Sequence, residues 1–257
     1  MKPGSRGIAP RKQLGQHFLV DDNILGVAGR LAELAPDDVV LEIGPGLGVL
    51  TRFLAGQVAF VHAVEIDHRL EPHLLGIRNT LVHWGDALRL DLSSLDPPPT
   101  KLVANLPYNV ATPIVVESLA DDRLGHWCVM VQREVADRFF AIPSTKAYGA
   151  VSVMVQLTAE RTGFHPVSRE VFRPRPNVDS ALVAFRRIAP APGPQVRRVV
   201  EAAFAHRRKT LANALSLGGI ASRERAEEAL DTIGRPATAR AEALTPGELV
   251  ALSEELR

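Results

Sequence analysis

From Val39 onward, short apolar runs alternate with stretches of helical spacing. The runs are Val39–Ile43, Phe60–Glu65, Thr80–Trp84, Leu102–Asn105 and Trp127–Gln132, and amphipathic stretches at Leu47–Leu54 and Thr112–Ala120 lie between them. Fully apolar runs of this length, separated by helical segments, predict buried parallel strands with crossover helices, an α/β doubly wound, mostly parallel sheet. Two later β-rich segments, Val151–Thr158 and Ser180–Arg186, have only loop between them, which predicts an antiparallel hairpin closing one edge.

At residues 189–194 the pattern stops. Ala-Pro-Ala-Pro-Gly-Pro is a stiff linker that cannot continue a strand, and it divides a main domain, residues 1–188, from a small all-helical domain, residues 195–257. In the latter, helices are expected over Val196–Leu215, Ser222–Ile233 and Pro246–Leu256. Gly234 and Pro236 stop the second, and Thr245 and Glu248 form a capping box that opens the third.

Composition adds little except by exclusion. The 257 residues carry 30 basic and 29 acidic side chains, so any nucleic-acid role must come from the distribution of charge, not its sum. Cys128 is the only cysteine, which excludes an internal disulfide and points to a reducing compartment. No apolar run approaches the ~18 residues of a membrane span, and the first 20 residues, with Lys2, Arg6, Arg11 and Lys12 and no acid, lack the apolar stretch of a secretory signal. A cytoplasmic protein with a basic N-terminal arm is the expectation.

The candidate chemistry sits where strands end. Gly44, Gly46 and Gly48 follow the first strand, where a doubly wound sheet binds nucleotides and glycines let the backbone approach a ligand. A dinucleotide fingerprint would need glycine at Val49, and no Gly-Lys-Ser/Thr follows, so phosphate binding has no signature. Glu65 closes the second strand 21 residues after Gly44, near the ~20-residue offset at which an acid reaches ribose hydroxyls. Asp86 follows the third strand, able to accept from the exocyclic amine of adenine; Ile66 and Ala87 adjoin these acids. Each feature alone also reads as a structural turn, a solvated acid or a helix cap. Together, without a phosphate site, they point to S-adenosyl-L-methionine.

After the fourth strand comes Asn105-Leu106-Pro107-Tyr108-Asn109. An exocyclic adenine nitrogen is a poor nucleophile because its lone pair is delocalised. The Asn105 side-chain carbonyl and the Leu106 backbone carbonyl can accept its two hydrogens and favour a pyramidal nitrogen. Pro107 fixes the loop and Tyr108 offers a face on which an unstacked base can lie. No strong general base is required.

With Gln13–Leu19, Glu42–Gly46, Asn105–Asn109, Phe172–Ser180 and Arg207–Leu211 in view, nearly the whole chain resembles the ribosomal RNA adenine N6,N6-dimethyltransferase family, and within it the bacterial small-subunit branch. The resemblance implies a Rossmann-like methyltransferase domain and a substrate of two adjacent adenosines in the 3′-terminal hairpin loop of 16S rRNA, in the small subunit or its precursor. It implies that His17, Leu19, Gly44, Glu65, Asp86 and Asn105 contact the cofactor, that Asn105, Leu106 and Tyr108 hold the target adenine, and that Phe172 helps sandwich it. The family usually has asparagine where His17 stands. The branch that methylates 23S rRNA and a non-catalytic RNA-binding assembly factor are the rival readings.

Arg186, Arg187, Arg197, Arg198, Arg207, Arg208 and Lys209 fall within 24 positions that hold one acid, Glu201. With Arg11 and Lys12, the last five are expected to track RNA phosphates. The histidines show no metal-ligand spacing, so no metal is expected; Cys128 reads as a core thiol. The protein is expected to act as a monomer.

Overall fold

A computed structural model describes Arg11 and residues 14–257. The chain forms two compact units. The first runs to Ala136 and resumes over Arg161–Arg187; the second is Asp137–Glu160 with Ile188–Arg257.

The first unit is built on strands β2 (Val39–Ile43), β3 (Phe60–Glu65), β4 (Thr80–Trp84), β5 (Lys101–Asn105), β6 (His126–Gln132), β7 (Ala159–Val167) and β9 (Ser180–Arg187), in the order β4-β3-β2-β5-β6-β9-β7. All pairs from β4 to β6 are parallel, and β9 runs antiparallel to β6. The five apolar runs of the sequence are these five parallel strands, with β5 and β6 each one residue longer at the start. Parallel strands bury both faces, and every residue of β2 is buried. The chain leaves β2 toward β3 and β4, then returns to the other side of β2 with β5. That reversal opens a crevice at the carboxyl ends of β2 and β5, where open α/β sheets bind ligands.

A two-stranded ribbon, β1 (Phe18–Leu19) with β8 (Phe172–Arg173), pairs Leu19 with Phe172 and Phe18 with Arg173. Helix α1 (Asp22–Leu31), capped by the Asp21 side chain on the Asn23 N–H, follows β1. Helix α2 (Val49–Ala55) leads from the glycine turn, a one-turn α3 (Glu71–Leu74) lies between β3 and β4, and α4 (Ala111–Ser118) follows the Asn105 loop. In the core, Trp127 donates to Ser118 Oγ (2.9 Å) and stacks on Phe185. Cys128 is a core thiol as expected, its pKa pushed up to about 12 by burial.

Three expectations are corrected. Val151–Thr158 is not a strand but helix α6 (Ala150–Thr158); the edge position beside β9 falls to β7, which begins where α6 ends. Its β-branched run reads as a strand because the helix is apolar nearly all round, with Val151, Ser152, Val153, Met154, Val155 and Thr158 all buried. Residues 137–160, which carry this helix and the end of α5 (Arg133–Phe139), cluster with the C-terminal segment, so the second unit is larger than residues 195–257. Finally, Val196–Leu215 is two helices, α7 (Pro194–Ala205) and α8 (Leu211–Leu217). His206, Arg207, Arg208 and Lys209 offer no apolar side chain to bury, and the chain turns there before the apolar face resumes at Leu211.

Helices α9 (Arg223–Thr232) and α10 (Pro246–Glu255) match expectation. Ser222 caps the first, and Thr245 with Glu248 forms the capping box of the second. Within this unit Tyr148 is fully buried, donates to Leu244 O (2.8 Å) and packs edge-on against Phe204. No helix among the described residues is long and apolar enough to cross a membrane.

Candidate active site

The crevice at the ends of β2 and β5 is a cavity of about 220 Å³ in the first unit. Its wall includes His17, Leu19, Gly44, Gly46, Glu65, Ile66, Asp86, Ala87, Asn105, Leu106, Pro107 and Tyr108, which brings together every expected cofactor and base contact but one. The exception is Phe172. It is fully buried in the core cluster with Leu19, Met130 and Leu182, and does not line the cavity. Pairing with β1 turns this ring inward, so Phe172 supports Leu19 from behind and offers no face to a base.

The glycines are required by conformation. Gly44 and Gly46 have φ +73 and +57, and a Cβ at Gly44 would lie 3.3 Å from the Pro107 ring while one at Gly46 would lie 3.0 Å from Phe18. The turn therefore packs directly on the Asn105 loop. Glu65 is buried and held from both sides: Oε2 accepts from the Gly46 N–H (3.1 Å) and Oε1 from the Asp67 N–H (2.9 Å). Each oxygen keeps a further lone pair for a ligand. Burial raises the Glu65 pKa, while the two N–H donors hold it back.

Below this acid the chain is braced. Asp67 takes a fork from Arg69 (Nε to Oδ1 2.9 Å, Nη2 to Oδ2 2.6 Å) and the Gln16 amide (3.1 Å), which hold its carboxyl well below the usual range. Gln16 in turn accepts from the Arg11 N–H (2.8 Å), so Arg11 lies at this bracket, its guanidinium 4.0 Å from Asp67. Asp86 caps the short helical turn Ala87–Arg89 by accepting from the Leu88 N–H (3.0 Å), its other oxygen lies 3.8 Å from Arg89 Nε, and its carboxyl and exposed Ile66 both line the cavity.

Sequence reasoning assigned no role to Glu42. Its side chain is 1% exposed, lines the cavity, and has an oxygen, Oε2, with no hydrogen-bond partner among the described residues. Burial, only partly offset by Thr51 and Arg52 and reinforced by Glu65, raises its pKa to about 8. The signal was present: a lone acid inside the apolar run Val39–Ile43 has to be paid for by a partner. Gln16 and Ser180 were likewise visible only as members of longer motifs.

At the other end, the Asn105 amide Nδ2 donates to the His17 carbonyl (3.0 Å). A carbonyl can only accept, so the nitrogen must face it and Oδ1 is left to accept from a ligand. The Leu106 N–H is tied to Met130 O (3.1 Å), extending the β5 ladder into the loop. The Tyr108 ring stacks on the His17 imidazole with centroids 5.3 Å apart, and its hydroxyl bonds the Ser180 hydroxyl. Burial raises the Tyr108 pKa, so the phenol stays protonated.

The charge of the wall is one-sided. Glu65 and Asp86 are its acids, Glu42 adds a carboxyl that keeps its proton at neutral pH, and no Lys or Arg lines it. Such a cavity repels phosphates and favours a cationic ligand rich in hydrogen-bond donors.

The basic residues expected to meet RNA behave unequally. Arg198, Arg208 and Lys209 are exposed with no ion pair among the described residues, whereas Arg197 pairs with Glu201 and Arg207 with Glu242 and the Lys146 carbonyl. Arg187 belongs to the sheet: its guanidinium sits 5.1 Å over Trp127 and donates to the Leu119, Asp121 and Leu124 carbonyls. Lys12 lies outside the described residues. No group of three or more metal-ligating side chains occurs among the described residues.

Known proteins resemble this chain over nearly its whole length. Ribosomal RNA small subunit methyltransferase A of Rubrobacter xylanophilus is 48% identical over 261 residues, covering 98% of each chain. The protein of the same name from Thermobifida fusca is 45% identical, covering 96% of this chain and 91% of that one. A dimethyladenosine transferase from Plasmodium falciparum shares the fold at TM-score 0.75 and 22% identity, covering 92% of this chain and 96% of that one. The 23S rRNA methyltransferase ErmE superposes at TM-score 0.64 with 31% identity, covering 93% and 99%. The model of the family described as ribosomal RNA adenine dimethylase matches residues 8–256. With glycine turn, acid-lined cavity and Asn105 loop all inside that match, the chain belongs to the ribosomal RNA adenine dimethylase family.

Proposed function

We propose that this protein transfers methyl groups from S-adenosyl-L-methionine to the N6 amines of two adjacent adenosines in the 3′-terminal hairpin loop of 16S rRNA, in the small ribosomal subunit or its precursor. The observation that carries this reading is the pairing, in one cavity lined by acids and by no Lys or Arg, of those acids with Asn105, whose Oδ1 is left to accept, and with Leu106 and Tyr108 of the same loop.

The residues present fit the cofactor. Its cation, ribose hydroxyls and adenine amine are all served by acceptors, and Glu42 Oε2, Glu65 and Asp86 supply acceptors in a glycine cradle that a side chain would fill. Bound there, S-adenosylmethionine supplies a methyl group on a positively charged sulfur, open to direct displacement. The chain itself orients the nucleophile. Asn105 Oδ1 and Leu106 O take the two amine hydrogens, which turns the nitrogen lone pair out of the ring plane, and the Tyr108 face holds the base. The exposed Arg198, Arg208 and Lys209 of the second unit, together with Arg11 and Lys12, contact RNA phosphates.

The small-subunit assignment rests on the name shared by the relatives matched over nearly their whole length at 48% and 45% identity. The 31% identity to a 23S enzyme keeps a second reading in view. Mass spectrometry of rRNA from a strain lacking this protein separates them: dimethyladenosine should vanish from the 16S hairpin while 23S adenines are unchanged. Loss of a 23S modification with an intact 16S hairpin would transfer the assignment to the other branch.

A further inference from the structure

Tyr108 is held at two points, neither of which its assigned role accounts for. Its hydroxyl meets Ser180 Oγ, a side chain with no solvent exposure at the start of β9. One face of its ring is covered by the His17 imidazole, at 5.3 Å between centroids and 29° between planes. His17 itself is pinned: Nδ1 lies 2.8 Å from the Pro174 carbonyl, and its own carbonyl receives the Asn105 amide. Since a carbonyl only accepts, Nδ1 must carry the proton, and the imidazole plane is fixed by the β8 loop. An asparagine at position 17 would have no ring to lay against the tyrosine. His17 thus contacts the base-side loop through both its ring and its backbone.

We propose that His17 and Ser180 are positioning residues that hold the Tyr108 ring as a preformed stacking platform for the target adenine. An aromatic side chain has two rotatable bonds; the hydroxyl contact and the covered face restrain both before RNA arrives. The open face then needs no reordering when the base leaves its stack, and the ordering cost is already met. The inference rests on the reading of Tyr108 as the base platform given above.

The experiment uses the full chain with two RNA hairpins: the unmodified one reads turnover, and one carrying 2-aminopurine at the target position, which has no 6-amine to methylate, reads stacking by quenched fluorescence. Ser180→Ala is expected to lower kcat about five-fold, the scale of one neutral hydrogen bond, with cofactor affinity unchanged by calorimetry. In a Tyr108→Phe background, which has no hydroxyl to hold, Ser180→Ala should cost less than about two-fold, whereas Ser180→Thr with Tyr108 in place keeps a hydroxyl and should retain the wild-type value. Equal losses in both backgrounds would show Ser180 to be a packing residue only and overturn its part. His17→Asn is expected to reduce quenching and kcat together while cofactor affinity holds; a weakened cofactor affinity with unchanged quenching would return His17 to the cofactor side. Tyr108→Ala is the control on the underlying reading. If it alters neither quenching nor turnover, Tyr108 is not the platform; if it alters both while His17→Asn and Ser180→Ala alter nothing, only the positioning role is overturned.

Discussion

The side-chain amide of Asn105 donates to the main-chain carbonyl of His17, 88 residues earlier in the chain, at 3.0 Å. This bond decides which end of the carboxamide faces the cavity: with Nδ2 committed, Oδ1 is the acceptor. Asn105→Ala removes both the acceptor and its anchor while leaving the exposed basic residues intact. Turnover should fall by ~10²–10³-fold, the scale seen when one preorganised hydrogen-bonding group is lost, and binding to the small subunit should persist. Full methylation of the 16S hairpin by this variant would make the chain an RNA-binding assembly factor on a methyltransferase fold.

Glu65 holds the Gly46 and Asp67 N–H groups, and in the proposed function its remaining lone pairs accept from the cofactor. Glu65→Ala should weaken S-adenosylmethionine binding by about 1.5–3 kcal/mol, the range for a lost charged hydrogen bond. Glu65→Gln, which retains one acceptor, should lose less. Calorimetry on folded variants checks the order; unchanged affinity in both would remove Glu65 from the site.

The buried Glu42 makes stability depend on pH in a defined direction. Its carboxyl keeps its proton to about pH 8 in the folded chain, against an ordinary value of 4.5. The folded state therefore binds more protons between these values, and the group's contribution is complete below the lower one and is lost as pH rises through the upper. Glu42→Gln, neutral at every pH, should be increasingly more stable than the ligand-free wild type as pH rises, by on the order of a few kcal/mol at the alkaline end. Thermal unfolding at several pH values reads this as a widening gap in Tm; a constant gap would mean that Glu42 ionises normally.

In the second unit, Arg208 and Lys209 are exposed without ion pairs among the described residues, while Arg207 is engaged by Glu242 and the Lys146 carbonyl. Charge reversal at Arg208 and Lys209 should weaken RNA binding and flatten its salt dependence by about 0.7–0.9 for each phosphate that is no longer neutralised. Cofactor affinity should not move. Filter binding across a salt series measures the first two and calorimetry the third; an unchanged slope would place the RNA elsewhere. Reversal at Arg207 should in addition lower Tm.

The sheet was legible because parallel strands bury both faces, so the five runs from Val39 to Gln132 stood out as continuous apolar segments. The same rule misled at Val151–Thr158, where a helix buried all round presents the same β-branched run. The cavity was legible at its strand ends, where Gly44, Glu65, Asp86 and Asn105 occupy equivalent places on successive strands. Phe172 was misplaced because its direction is set by the register of a two-residue ribbon, a pairing between residues more than 150 positions apart that local pattern does not encode. Glu42 and Ser180 drew no role for a related reason: an isolated buried polar side chain announces that it needs a partner without saying which.

The second unit is discontinuous: its first piece, residues 137–160, is separated from the rest by the strands that complete the sheet. During synthesis α6 leaves the ribosome before α7 and α10, the helices it packs against, exist. β9, which pairs with β6, is likewise made before the helices that pack on α6. A chain cut after Arg187 would keep every residue of the sheet and the cavity yet present Val151, Val153, Met154 and Val155 without α7 and α10. The tail is thus no detachable module, and a truncated enzyme made to isolate catalysis from RNA binding would need α6 resurfaced to stay in solution.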